Sequence, residues 1–299
     1  MKTDLQKPLS FGQILDQTFR ILKNNFVPLF VIALVIMAPI YLIQIISLIA
    51  GGRDLIIALE PGQTFLDQFI NNAESIENTT LVEDIGTIIS SILALFAIPI
   101  FTGALILAVG AIRNEKTFTT KSMIKQSLTR YWPMFWSTLL IGLILFAIIF
   151  FPLMIITMVT TILAINEPVV GVIVGIVLGL SFFIGLGLLF TRWSMYLPAV
   201  LYERVAPGLL KSWQLTKRQT WKFFGLYVVF SLIIAAIGFA IQWPVTLLGY
   251  SVLYTVIMNL VNLTTGLIMA IGYAVMYFDA HKRHSASDLH DLMGEYEAK

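Results

Sequence analysis

Three histidines, His281, His284 and His290, lie near the end of the chain with Asp288 and Asp291 beside them. Imidazole and carboxylate together are metal-ligating groups, but these intervals match no established ligand pattern. A solvated tail without metal is expected, and no cofactor. Every His falls in this one segment, so no Ser-His-Asp set can be assembled with the rest of the chain. Cys is absent, which removes disulfides, thiol nucleophiles and Cys-ligated metals.

The remaining chemistry-bearing residues sit in or beside long apolar runs. Asn259 and Asn262 are three apart and share a helical face. They are candidates for interhelical packing or for a polar path. Arg192 and Glu203 are candidates for a vestibule at the inner end of a span. The apolar interiors themselves contain no ionisable residue. Buried charge in a membrane is costly and usually functional, so its absence argues against proton coupling. Lacking an acid, a base or a His, the interiors also argue against an intramembrane hydrolase. The chain is not expected to be an enzyme.

The elements that hold these residues follow from composition. Hydrophobic residues make up 58% of the 299 and charged residues 12%. A soluble domain carries about 25% charge. Several apolar runs exceed the roughly 20 residues that cross a bilayer as a helix. The fold class expected is an all-α integral membrane protein. Its six transmembrane helices are placed at about 26–50, 86–112, 133–163, 168–191, 223–248 and 252–278. Residues 1–279 form a single six-span membrane domain and 280–299 a cytoplasmic tail. The first apolar run outlasts a signal-peptide core, so it is expected to be retained as a span.

Charge orients the spans. The segment before the first span carries Lys2, Lys7, Arg20 and Lys23, and the second interval Arg113, Lys116, Lys121, Lys125 and Arg130. The fourth interval carries Arg192, Arg204, Lys211, Lys217, Arg218 and Lys222, and the tail Lys282, Arg283 and Lys299. Of the nineteen Lys and Arg, Arg53 alone falls on the other side. By the positive-inside rule both termini are cytoplasmic. The outer loop, 51–85, has room for a short interfacial helix at 63–70 and contains a sequon at Asn78.

A threefold internal repeat of pattern accompanies the charge. Each odd-numbered span is approached by a polar-apolar segment ending in aromatics: Ser10 to Phe26, Thr120 to Trp136 and Pro207 to Phe224. Ser10 and Gln13 have capping-box spacing, and Phe11, Ile14, Leu15, Phe19, Leu22 and Phe26 form a stripe. Pro207 suits a first helical turn. Three cytoplasmic interfacial amphipathic helices are expected, with basic residues towards anionic head groups. Lys121, Lys125, Arg130, Lys211, Lys217 and Arg218 are the candidate lipid or partner surface. Nucleic acid is not an expected partner. Gly171, Gly175 and Gly179 form a close-approach ladder in the fourth span, and Pro39, Pro99, Pro152, Pro198 and Pro244 are placed to shape helices.

The stretch Arg192-Trp193, Pro198-Ala199, Glu203, Lys211-Ser212-Trp213, Leu215-Thr216-Lys217, Trp221 and Phe224-Gly225 resembles the membrane domain attached to some bacterial glycerophosphodiester phosphodiesterases. The opening Leu9-Ser10-Phe11-Gly12-Gln13-Ile14-Leu15-Asp16 with Phe19 is similar to the start of such proteins. Leu210 stands where that pattern would have a small residue. The resemblance implies a bacterial inner-membrane location. It carries over no catalytic residue, because the enzyme part of fused relatives is a following barrel of roughly 250 residues, whereas only 280–299 follow the last span here. The function expected is a non-catalytic module that binds anionic lipid or docks a partner. The alternative is a transporter or exporter of an amphipathic molecule through a neutral, proline-kinked bundle.

Overall fold

The computed structural model describes residues 9–57, 67, 70, 79–217 and 219–297, with side chains described as far as Ser285. The expected helix at 63–70, the sequon Asn78, Arg218 and the side chain of His290 therefore lie outside the described residues, apart from positions 67 and 70. Among the described residues there are nine helices and no strand. They are α1 (Phe11–Asn24), α2 (Phe26–Ala50), α3 (Leu81–Arg113), α4 (Thr120–Thr129), α5 (Tyr131–Asn166), α6 (Pro168–Trp193), α7 (Leu209–Thr216), α8 (Thr220–Val245) and α9 (Val252–Glu297). Short turns at Tyr196–Pro198 and Ala199–Glu203, the latter π-helical, extend α6, and Thr246–Leu248 extends α8. Six of the elements are long and apolar enough to cross a membrane.

The short helices α1, α4 and α7 precede α2, α5 and α8 in turn, so the three approach segments all fold as helices. The capping box on α1 forms: the Ser10 N–H donates to Gln13 Oε1 at 2.8 Å and the Gln13 N–H to Ser10 Oγ at 3.4 Å. The stripe on α1 divides. Ile14 turns inward with Gln17, Thr18 and Ile21, while Phe11 and Phe26 stay exposed. A helix at a membrane surface has two apolar neighbours, protein on one flank and lipid on the other, and the stripe serves both.

Several expected limits shift. The third span begins at Tyr131 and the second at Leu81 rather than at 133 and 86. Hydropathy finds the apolar stretch, whereas the helix runs on to its cap. Thr80 supplies that cap for α3, accepting from the Glu83 N–H, and Glu83 and Asp84 occupy the positive first turn. Pro207 lies outside the third approach helix, which starts at Leu209 after Gly208 in the left-handed region. The segment expected as a solvated tail continues α9 to Glu297. No Pro interrupts 280–297, so nothing local stops the helix.

The described residues form two compact units, one within 9–129 and 228–276, the other within 130–227 and 277–297. In the first, α2 and α3 pack side by side. They come close at Gly86, where an added Cβ would strike the Ser47 side chain. Just past the end of α2, Arg53 holds Glu83 on the first turn of α3 with two bonds, Nε to Oε1 at 2.8 Å and Nη2 to Oε2 at 3.0 Å, and lies 5.0 Å from the Tyr250 ring centre. Burial raises the Tyr250 phenol above its usual range, partly offset by Arg53. The α4 helix rests on α3, with Ser127 Oγ donating to the Ile100 carbonyl at 3.1 Å.

In the second unit α5 and α6 form the main pair. A Cβ added at Gly171 would strike the Ala164 backbone and one at Gly175 would lie 3.2 Å from Thr160 Cγ2, while one at Gly179 would meet no atom of the described residues within 4 Å. Two rungs of the glycine ladder thus serve packing within this chain, where close van der Waals contact replaces a hydrophobic driving force. The outward faces of these helices carry exposed Leu143, Phe146, Phe183 and Ile184, as expected of surfaces wetted by acyl chains rather than water.

Candidate functional site

The C-terminal end of α6 builds the site. A helix leaves its last four carbonyls without intrahelical partners. At Arg192 that carbonyl accepts a 2.7 Å bond from Ser212 Oγ. The same oxygen of Ser212, fully buried, accepts from the Met195 N–H at 2.9 Å. One hydroxyl on α7 therefore fixes the end of α6 and the turn that follows. The neighbouring Trp213 places its ring 4.9 Å from the Arg192 guanidinium carbon. The two halves of the sequence pattern, Arg192-Trp193 and Lys211-Ser212-Trp213, meet here through backbone and side chain together.

Around Arg192 lies an open cavity of about 870 Å³. Gly185, Leu188 and Leu189 form its apolar wall, all on the face of α6 that ends in Arg192, since these positions recur at three- and four-residue spacing. Apolar wall and cation are thus separated by about 10 Å along one helix. Trp213 and Trp221 contribute aromatic surface, and Lys222 and Arg283 add positive charge. Both cations are tied to Asp279, each at 3.0 Å. The Asp279 side chain is wholly enclosed, whereas Lys222 and Arg283 keep 20% and 29% exposure. Three cations and one sequestered carboxylate leave the lining positive.

Two residues of the lining each hold an enclosed side-chain atom that has no hydrogen-bond partner among the described residues: Nη1 of Arg192, a donor, and Oε1 of Gln219, an acceptor. A desolvated donor or acceptor left unpaired costs about 1–3 kcal/mol.

The candidate residues are distributed unevenly. Arg192 lines the cavity, but Glu203 does not. Glu203 instead ends the π-helical turn, pairs with Lys211 at 3.1 Å, accepts from the Tyr277 hydroxyl at 3.4 Å and lies 3.5 Å from His281 Nδ1. Lys121, Lys125 and Lys217 are exposed and Arg130 half-buried. Asn259 and Asn262 do not act together: Asn259 Nδ2 donates to Gln44 Oε1 at 3.1 Å, while Asn262 is exposed. A three-residue step leaves the two side chains about 60° apart around the helix, enough for one to turn inward and the other out. Among the described residues no group of three His, Asp or Glu could hold a metal ion.

Asp279, Gln219 and Arg283 were not singled out by sequence. Asp279 falls one residue beyond the expected end of the last span and Lys222 one residue before the expected start of the fifth. Their pairing across 57 residues has no signature in either segment. The acidic residue at a span's basic end was the one available clue.

No family model, curated protein or solved structure matches the chain.

Proposed function

We propose that this protein is a non-catalytic module of the bacterial cytoplasmic membrane that binds anionic phospholipid, with both termini in the cytoplasm. The observation that carries the reading is the polarity of the cavity: Arg192, with Lys222 and Arg283, stands at the charged end of a helix face whose other end, Gly185, Leu188 and Leu189, is apolar. A phospholipid has that same polarity, phosphate at one end and acyl chain at the other. Guanidinium groups take phosphate oxygens in fork geometry, and Trp213 and Trp221 belong to the amphipathic residues that favour the head-group layer.

The sidedness of Lys and Arg supports the orientation, and it brings the cavity to the leaflet that carries anionic lipid in this reading. The approach helices α1, α4 and α7 would lie against the same leaflet, with the exposed Lys121 and Lys125 towards its head groups. The resemblance of the Arg192 to Gly225 stretch to bacterial membrane domains supports the compartment.

Native mass spectrometry of protein released gently from bacterial membranes tests the reading. The wild type is expected to retain one anionic phospholipid that Arg192→Ala loses while its melting temperature is kept. Equal retention by both proteins would overturn it.

A further inference from the structure

We infer that the cytoplasmic stretch of α9, residues 280–297, is coupled to the cavity: an anionic head group bound there and the wound form of this stretch stabilise one another. This rests on the lipid-binding reading above and adds regulation to it.

The stretch reaches the cavity through one side chain. Most of the lining comes from α6 and from the first turn of α8. Among the described residues α9 contributes Arg283 alone, one helical turn beyond Asp279. Arg283 keeps 29% exposure, so an anion in the cavity can meet it. Its place in the lining depends on helical order, because the turn between Asp279 and Arg283 sets where the guanidinium stands.

Charge gives the sign of the coupling. Lys222 Nζ on α8 and Arg283 Nε on α9 each lie 3.0 Å from one oxygen, Asp279 Oδ2, so the two nitrogens are no more than about 6 Å apart. Two cations that close repel, and they share a single carboxylate. An anionic phosphate in the cavity adds a second negative charge and attracts both. That attraction acts on α9 only while Arg283 remains in the lining, so a bound head group opposes unwinding of the turn. By linkage, unwinding the turn lowers head-group affinity by the same factor.

The stretch is polar where it leaves the apolar part of α9: Ala286 is the one apolar residue in 281–288. Without an apolar face to bury, a helix in water is marginal, and contacts at its first turn weigh on whether it stays wound. His281 supplies one such contact, its Nδ1 3.5 Å from Glu203 Oε1, and a head group at Arg283 would supply another.

Hydrogen–deuterium exchange in nanodiscs tests the coupling, with phosphatidylcholine alone or with a minority of phosphatidylglycerol, while native mass spectra of the same samples report the lipid retained. In the wild type, phosphatidylglycerol should slow exchange of the 281–287 amides by about fivefold or more, the low end of coupling between sites. Arg283→Gln should abolish the slowing and lower phosphatidylglycerol retention, and Arg283→Lys should keep part of both. Arg192→Ala leaves every charge of the stretch in place and weakens binding in the cavity, so it should abolish the slowing too. Slowing that survives Arg192→Ala or Arg283→Gln assigns the effect to an anionic bilayer surface acting on the stretch and overturns the inference. Unchanged exchange in a wild type that retains phosphatidylglycerol also overturns it and leaves lipid binding standing. A wild type that retains none overturns the inference together with the reading beneath it.

Discussion

Arg192 lies against Trp213, its guanidinium carbon 4.9 Å from the ring centre, and the ring orients the guanidinium fork at the cavity. A cation–π contact at a partly exposed site contributes about 0.5–1 kcal/mol. Trp213→Ala should therefore weaken lipid retention by a few-fold, with Trp213→Phe close to wild type. Arg192→Lys should fall between wild type and Arg192→Ala, because it keeps the charge and loses the planar fork. Lipid retention in native mass spectra ranks the four variants.

Ser212 is placed to act on stability. Its hydroxyl bonds both the Met195 N–H and the Arg192 carbonyl in a fully buried position. Ser212→Ala strands both groups and should destabilise the unit by about 1–3 kcal/mol. A lowered melting temperature in detergent with little change in the lipid bound below it is the expected outcome.

Asp279 is the common partner of Lys222 and Arg283. Asp279→Asn should cost up to about 3 kcal/mol, the lower part of the range for broken buried pairs, since both cations retain access to solvent. Arg283→Gln should cost less, because Lys222 still pairs with the carboxylate. Replacing Lys222 by Met alongside Asp279→Leu should recover part of the loss. Thermal unfolding of the four proteins gives the order, and a smaller effect for Asp279→Asn than for Arg283→Gln would contradict this arrangement.

Gly51 and Gly52 are required for different reasons. Gly51 has ordinary helical φ, but an added Cβ would come within 2.7 Å of Glu83 and Thr80. Gly52 has open space and a φ of +86°. Gly51→Ala should displace the Arg53–Glu83 pair and cost about 1–3 kcal/mol. Gly52→Ala should cost about 1 kcal/mol from backbone conformation alone, and Gly52→Asn less. Melting temperatures of the three variants separate the steric cause from the conformational one.

The absence of Cys makes orientation directly measurable. In intact spheroplasts an impermeant maleimide should label Leu55→Cys, an exposed position beyond the C-terminal end of α2 that the proposed orientation puts outside. Lys125→Cys on α4 should react only after permeabilisation. The reverse pattern would invert the topology argued from the basic residues.

The amino-acid sequence by itself determined the helical class, the six spans, the three approach helices and the Ser10–Gln13 cap. Each follows from constraints that act locally: hydrocarbon forces backbone hydrogen bonds to close within a segment of sufficient length, and a cap needs only its own four residues. The expected limits missed where a helix ran past its apolar stretch into polar residues, as α3 does to Thr80 and α9 beyond Asp279. Tertiary structure decided which charges are occupied and which are open. Glu203 and Arg192 looked equivalent at the end of one span, yet Glu203 is taken by Lys211 and Tyr277 while Arg192 lines the cavity beside Trp213. That difference depends on where α7 and α9 bring Lys211, Trp213 and Tyr277, and packing of helices far apart in sequence sets it.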